Sequence, residues 1–140
     1  MRALLIVGNN NMSTRELYTA VLDSHSAGWT SSFMSGLPEG IESIAGSFDL
    51  VAFELGRADS SERVAAAGRI RSAGVEVITH VEGREADRLR DELLHQGVVV
   101  VSNPLNADRI AEAVDQVASR RRSNPRRVGA RERIRRFLGR

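Results

Sequence analysis

Five short apolar runs, each followed by a stretch of helical spacing, set the rhythm of the chain. The first, Ala3-Leu4-Leu5-Ile6-Val7, is continuous and ends β-branched, the pattern of a strand buried on both faces of a parallel sheet. Ser13 with Glu16 three residues later reads as a capping box. Leu17, Tyr18, Val21 and Leu22 then give the buried side of a helix ending near Asp23. Trp29 to Met34 is a strand rich in Ser and Thr, suited to a sheet edge. Pro38 opens a short helix with Ile41, Ile44 and Ala45 inward. Phe48 to Glu54 predicts the third strand, and Ser61 to Ser72 a helix whose alanines permit close packing, closed by Gly74. Val75, Val77 and Ile78 predict the fourth strand, followed by a helix over Glu85 to Gln96 with Ala86, Leu89 and Leu93 on one side and Gly97 as its C-cap. Val98 to Val101 predicts a central strand, and Asn106 caps a last helix with Ile110, Val114 and Val117 as its buried stripe.

Strands alternating with helices at this spacing predict an α/β fold, a doubly wound parallel sheet of five strands, with a basic C-terminal helical tail. The expected division is a body over 1–120 and an arginine-rich tail over 121–140. In such a fold ligands bind beyond the carboxyl ends of the strands. The positions to inspect are therefore Gly8 to Asn11, Glu54 to Gly56, Thr79 and His80, and Ser102 to Pro104.

Composition narrows the chemistry. A chain of 140 residues has room for one domain and an appendage. All 20 basic residues are arginine, so Schiff-base chemistry and a phosphate-binding P-loop lysine are excluded. With no cysteine, disulfides, thiolate nucleophiles and zinc knuckles are excluded too, which fits a cytoplasmic chain. The opening apolar run is too short for a signal peptide or a membrane span. Charge is divided unevenly: up to Ala118 ten arginines face seventeen acids, whereas from Ser119 onward ten arginines face Glu132 alone.

Three segments carry a family likeness: FDLVAFELG, with an acid five residues after Asp49; VITHVEG, with Thr79 at a strand end; and VSNPLNADRIAEAV, where Pro104 follows the last strand. Over about residues 2 to 120 the chain resembles the receiver domain of bacterial response regulators, which has the same flavodoxin-like (βα)5 succession. The resemblance implies an acid pair after the first strand, a phosphoacceptor aspartate after the third, a Ser or Thr after the fourth and a lysine before the proline after the fifth. Here the acid pair falls on Gly8 and Asn9 or on Asn9 and Asn10, the acceptor on Glu54 and the lysine on Asn103, with Thr79 alone retained. Val100 stands where receivers often carry a switching aromatic.

Magnesium requires carboxylate oxygens to replace its hydration, and phosphoryl transfer requires a metal and a cation to offset charge on the phosphoryl oxygens. Gly8, Asn9, Asn10, Glu54, Thr79 and Asn103 supply one carboxylate and no cation. The expectation is a degenerate pocket in which Glu54, one methylene longer than aspartate, reaches Thr79 or Asn103 by hydrogen bonds, or is solvated at a strand end. The asparagines of GNNNMST read as a polar turn or as the lining of a phosphate or ribose pocket at a helix N-terminus, without the glycine fingerprint of a dinucleotide site. His25, His80 and His95 are well separated and give no triad or metal spacing, and no G-x-S-x-G elbow occurs. No catalytic residue, cofactor or metal is assigned.

Asn124-Pro125 and Gly129 interrupt the tail, after which Ala130, Ile134, Phe137 and Leu138 share one side of a helical wheel. Arg120, Arg121, Arg122, Arg126, Arg127, Arg131, Arg133, Arg135, Arg136 and Arg140 form its candidate anion-binding set. Nucleic acid held through phosphates, an anionic membrane surface and a protein groove all fit it, as does a solubilising tail or one folded back on the acidic body. The resulting expectation is a phosphorylation-independent protein-interaction module in the bacterial cytoplasm. By resemblance its partner face carries Arg88, Asp91, Glu92, Asp108, Glu112 and Asp115, and could also form a homodimer. A nucleic-acid-binding protein and a membrane-surface adaptor are the rival readings.

Overall fold

The computed structural model describes residues 1–8, 12–37, 39–41, 46–54, 60–81 and 86–123. Nine elements follow in order: β1 (Arg2–Ile6), α1 (Met12–Ser24), β2 (Thr30–Met34), β3 (Leu50–Glu54), α2 (Ser60–Ser72), β4 (Glu76–His80), α3 (Ala86–His95), β5 (Val99–Val101) and α4 (Ala107–Ser123). The strands form one parallel sheet in the order β2-β1-β3-β4-β5. The chain therefore winds outward in two directions from β1 and β3, as the alternating pattern predicts.

Both faces of the sheet are covered. On one, Ala3, Leu5, Leu50, Ala52, Ile78, Val99 and Val101 pack against Tyr18 and Leu22 of α1 and Ile110, Val114 and Val117 of α4. On the other, Leu4, Ile6, Val51, Phe53 and Val77 meet Val64, Ala67 and Ile70 of α2 and Leu89 and Leu93 of α3. Each large aliphatic side chain buried this way contributes about 1.5–3 kcal/mol, so the apolar runs of the sequence and the two helix layers explain one another.

Helix ends follow local chemistry. Asn106 Oδ1 accepts the Arg109 amide at 2.9 Å, the expected cap of α4. Gly97 has φ +85°, and the amides of Val98 and Gly97 return to the carbonyls of Leu93 and Leu94 at 3.0 Å each. That is a Schellman closure, and only glycine adopts the left-handed turn at no cost. Two expectations require correction, and one falls outside the described residues. Helix α1 already includes Met12, so Ser13 lies within its first turn and the cap position falls outside the described residues. The Ile44 and Ala45 side of the short second helix, and its Pro38 start, also lie outside them. Val98 to Val101 is an edge strand, not a central one. Its valines report burial between α3 and α4, which cover its faces, and that burial says nothing about neighbours in the hydrogen-bonding direction.

At the pole where the strands begin, carboxylates and arginines tie the layers together. Glu76, 2% exposed, lies 3.8 Å from Arg71 of α2 and 3.3 Å from Arg120 of α4. Both guanidinium groups also donate to the Gly97 carbonyl, at 3.0 and 2.8 Å. Arg121 pairs with Asp49 at 2.9 Å and donates to its carbonyl, while the other Asp49 oxygen accepts the Arg2 amide at 2.8 Å. Arg120 and Arg121, assigned from composition to the anion-binding tail, thus anchor α4 to the sheet. A buried carboxylate stripped of its charge leaves two arginines without their shared partner. Glu76→Gln is therefore expected to lower the urea unfolding free energy by about 3 kcal/mol, and the exposed Glu112→Gln by less than about 0.5 kcal/mol. Equal effects would contradict this account.

Candidate functional site at the strand carboxyl ends

Parallel pairing brings the ends of β3, β4 and β5 to one level. Glu54 is the register partner of His80, and His80 in turn of Val101. Residues alternate between faces along a strand, so Glu54 and His80 point to the α1 side of the sheet with Ala52 and Ile78. Thr79 pairs with Phe53 and points to the other side. It is fully buried, and its hydroxyl donates to the Phe53 carbonyl at 2.7 Å. The one pocket group retained from the receiver pattern therefore serves the β3 backbone.

Asn103 follows β5 and precedes Pro104 through a cis peptide bond. Its Nδ2 donates to the Val81 carbonyl at 3.4 Å, which leaves Oδ1 to accept from His80 Nε2 at 2.5 Å and places the proton on that nitrogen. His80, only 7% exposed, is one of the strand-end positions the sequence singled out for inspection, although no role was assigned to it there. The signal that could have found it is the register: a histidine one residue past Thr79 must share a face with Glu54 when the strands run parallel. Glu54 is half-buried, and its carbonyl accepts from the Arg63 guanidinium of α2. Neither Thr79 nor Asn103, the two expected partners of its carboxylate, directs its donor there. Among the described residues nothing lies within 4 Å of where a Gly8 side chain would begin. Asn9, Asn10 and the loop over 55–59 lie outside the described residues.

Tyr18 of α1, a core residue in the sequence reading, is electrostatically part of this end. Burial, and secondarily the negative charge of Glu54, push its phenol well above the ordinary tyrosine range. Among the described residues no group of three His, Asp or Glu side chains could hold a metal ion. The arrangement is a neutral carboxamide and an imidazole fastened to each other beside one carboxylate, with a fully buried phenol behind.

The comparisons with known proteins agree with this geometry at the level of fold. A two-component response regulator from Clostridium difficile superposes with a TM-score of 0.65 at 19% identity, covering 88% of this chain and 99% of the other. A CheY-like response regulator receiver domain protein from Methanospirillum hungatei gives 0.61 at 15%, covering 88% and 98%. The fold is that of a receiver domain. A candidate pilus assembly-related protein from Burkholderia pseudomallei shares the receiver fold as well, with a TM-score of 0.64 at 18% identity over 85% of this chain and 90% of that one. No family model and no curated protein matches the sequence.

Tyr18 is the only tyrosine and the chain has no lysine, so no other side chain titrates near pH 10. A phenol whose ionisation is raised in the folded state stabilises the fold fully below its unfolded value and loses that contribution as pH rises beyond it. Unfolding free energy is thus expected to fall between about pH 10 and 11 in the wild type, and to stay flat there in Tyr18→Phe. Parallel curves for the two proteins would show that Tyr18 is not shielded.

Proposed function

We propose that the chain is a receiver-fold interaction module that works without phosphorylation, in the bacterial cytoplasm, by presenting its surface to a protein partner in trans. The observation that carries this reading is the state of Asn103. Where a competent receiver holds a lysine toward the phosphoryl group, this chain has a neutral carboxamide engaged at both ends, by His80 and by Val81. Glu54 stands in the acceptor position, the acid-pair positions carry Gly8, Asn9 and Asn10 in place of carboxylates, and the Thr79 hydroxyl is turned to the β3 backbone. A pocket fixed in this way has no chemical trigger of the usual kind, so recognition falls to the helical surface.

Of the six residues assigned to the partner face, Arg88, Asp91 and Glu92 are exposed on α3, and Asp108 and Glu112 on α4. Asp115, also exposed on α4, pairs with His25, just past α1, at 2.8 Å. Solved neighbours named for two-component regulation and for pilus assembly support a module that serves a larger assembly.

A second reading has its own observation. Arg120 and Arg121 fix the root of the tail at the pole opposite Asn103, and seven further arginines follow Ser123 in the sequence. Such a segment suits non-specific contact with nucleic-acid phosphates, with the body as its carrier. An anionic membrane surface uses the same residues. Arg126, Arg127, Arg131, Arg133, Arg135, Arg136 and Arg140, and the expected helix over Ala130 to Leu138, lie outside the described residues.

Incubation with acetyl phosphate and magnesium is expected to leave the intact mass unchanged, and a phosphoryl adduct removed by Glu54→Gln would overturn the first reading. For the second, anisotropy of a fluorescent DNA duplex across a salt series distinguishes full-length protein from a 1–123 truncation. If about five arginines neutralise phosphates, the logarithmic salt slope is near −4.5 and truncation abolishes it. Absence of binding by both proteins at low salt removes the nucleic-acid reading.

A further inference from the structure

We propose that two copies of the chain join edge to edge through β2, extending the sheet across a twofold axis. Strand β2 has β1 on one side and no described strand on the other. The Thr30 amide donates to the Met1 carbonyl at 2.8 Å and the Met34 carbonyl accepts from Val7 at 3.1 Å, so Thr30, Ser32 and Met34 turn their main chain toward β1. Alternation then turns the amide and carbonyl of Ser31 and of Phe33 outward, past the edge.

Natural sheet edges are protected by charge, proline or bulges, and Thr30-Ser31-Ser32-Phe33-Met34 contains neither charge nor proline. Nor is the edge an unprotected apolar patch, because the Arg15 guanidinium covers the Phe33 ring at 3.7 Å. What this edge offers is main-chain hydrogen bonding.

A second copy of the chain fits this edge as its occupant. With antiparallel strands centred on Ser32, Ser31 of one copy faces Phe33 of the other. These are the outward-turned residues, so all their donors and acceptors pair. Ser32 then faces its own equivalent as a non-hydrogen-bonded pair, with Cα atoms about 4.5 Å apart. A neutral strand meets its copy without opposing like charges, and facing hydroxyls suit a cross-strand pair. The twofold axis stands normal to the sheet and leaves α1 of both copies on the same face. This surface is separate from the α3, β5 and α4 face, at the other edge.

The chain has no cysteine, so single cysteines report the geometry cleanly. Ser32→Cys is expected to form a disulfide-linked dimer under mild oxidation, because its Cα separation lies within the range of about 4.4–6.8 Å that a disulfide spans. Ser31→Cys, displaced to a diagonal of about 7–8 Å, is not. Sedimentation equilibrium of the full chain should show a concentration-dependent dimer. Ser32→Lys, which opposes two ammonium groups, and Ser31→Pro, which deletes only an outward amide, should each weaken the dimer about tenfold or more while urea unfolding stays cooperative. A monomer at every concentration overturns the proposal. So does a dimer that survives both substitutions, or equal crosslinking at positions 31 and 32.

Discussion

The parallel sheet is covered by helices on both faces, and this constraint decides where polar chemistry can sit. Between the layers nearly every side chain is aliphatic, and the main chain satisfies its own hydrogen bonds in the ladder. Titratable groups are therefore driven to the two poles of the sheet and to its edges. Thr79, buried within the layer, obeys the same rule by donating to the Phe53 carbonyl.

The poles solve different problems. Where strands begin, Glu76 and Asp49 accept from Arg71, Arg120, Arg121 and the Arg2 backbone, binding α2, β4 and the end of α4 into one network. Arginine suits this use because its planar fork reaches a carboxylate and a carbonyl together. Where strands end, His80 pairs with Asn103 on the side of the sheet that Glu54 also faces, and the charge of Glu54 reaches the buried Tyr18. The tail therefore starts a helix length away from the strand-end cluster, about 25 Å for the seventeen residues of α4.

Much of this architecture was legible in the sequence because the signals were local or periodic. Apolar runs, the Asn106 cap, and Gly74 and Gly97 as helix stops each act over a few residues. The edge position of Trp29 to Met34 was also legible, since a Ser/Thr-rich strand cannot be buried on both faces. What escaped depends on register and on distant partners. Val98 to Val101 looks central because burial by helices and burial between strands leave the same composition. His80 was singled out by its place at a strand end, but its pairing with Asn103 needs β4 and the segment after β5 to be brought together. Arg120 and Arg121 look like tail residues until Glu76 and Asp49 are brought beneath them. Asp115 turns to His25, 90 positions away, a contact no helical wheel contains.

The functional account rests on Asn103 being engaged by His80 and the Val81 carbonyl, with Thr79 turned to the β3 backbone. Its most direct measurement is the nitrogen spectrum of the His80 ring, with and without magnesium and beryllium fluoride, a mimic of the phosphoryl group. The account predicts a single Nε2–H tautomer whose resonances do not move on either addition. A magnesium-dependent shift of His80 together with the Asn103 carboxamide would show that the pocket still responds to a phosphoryl group and would contradict it.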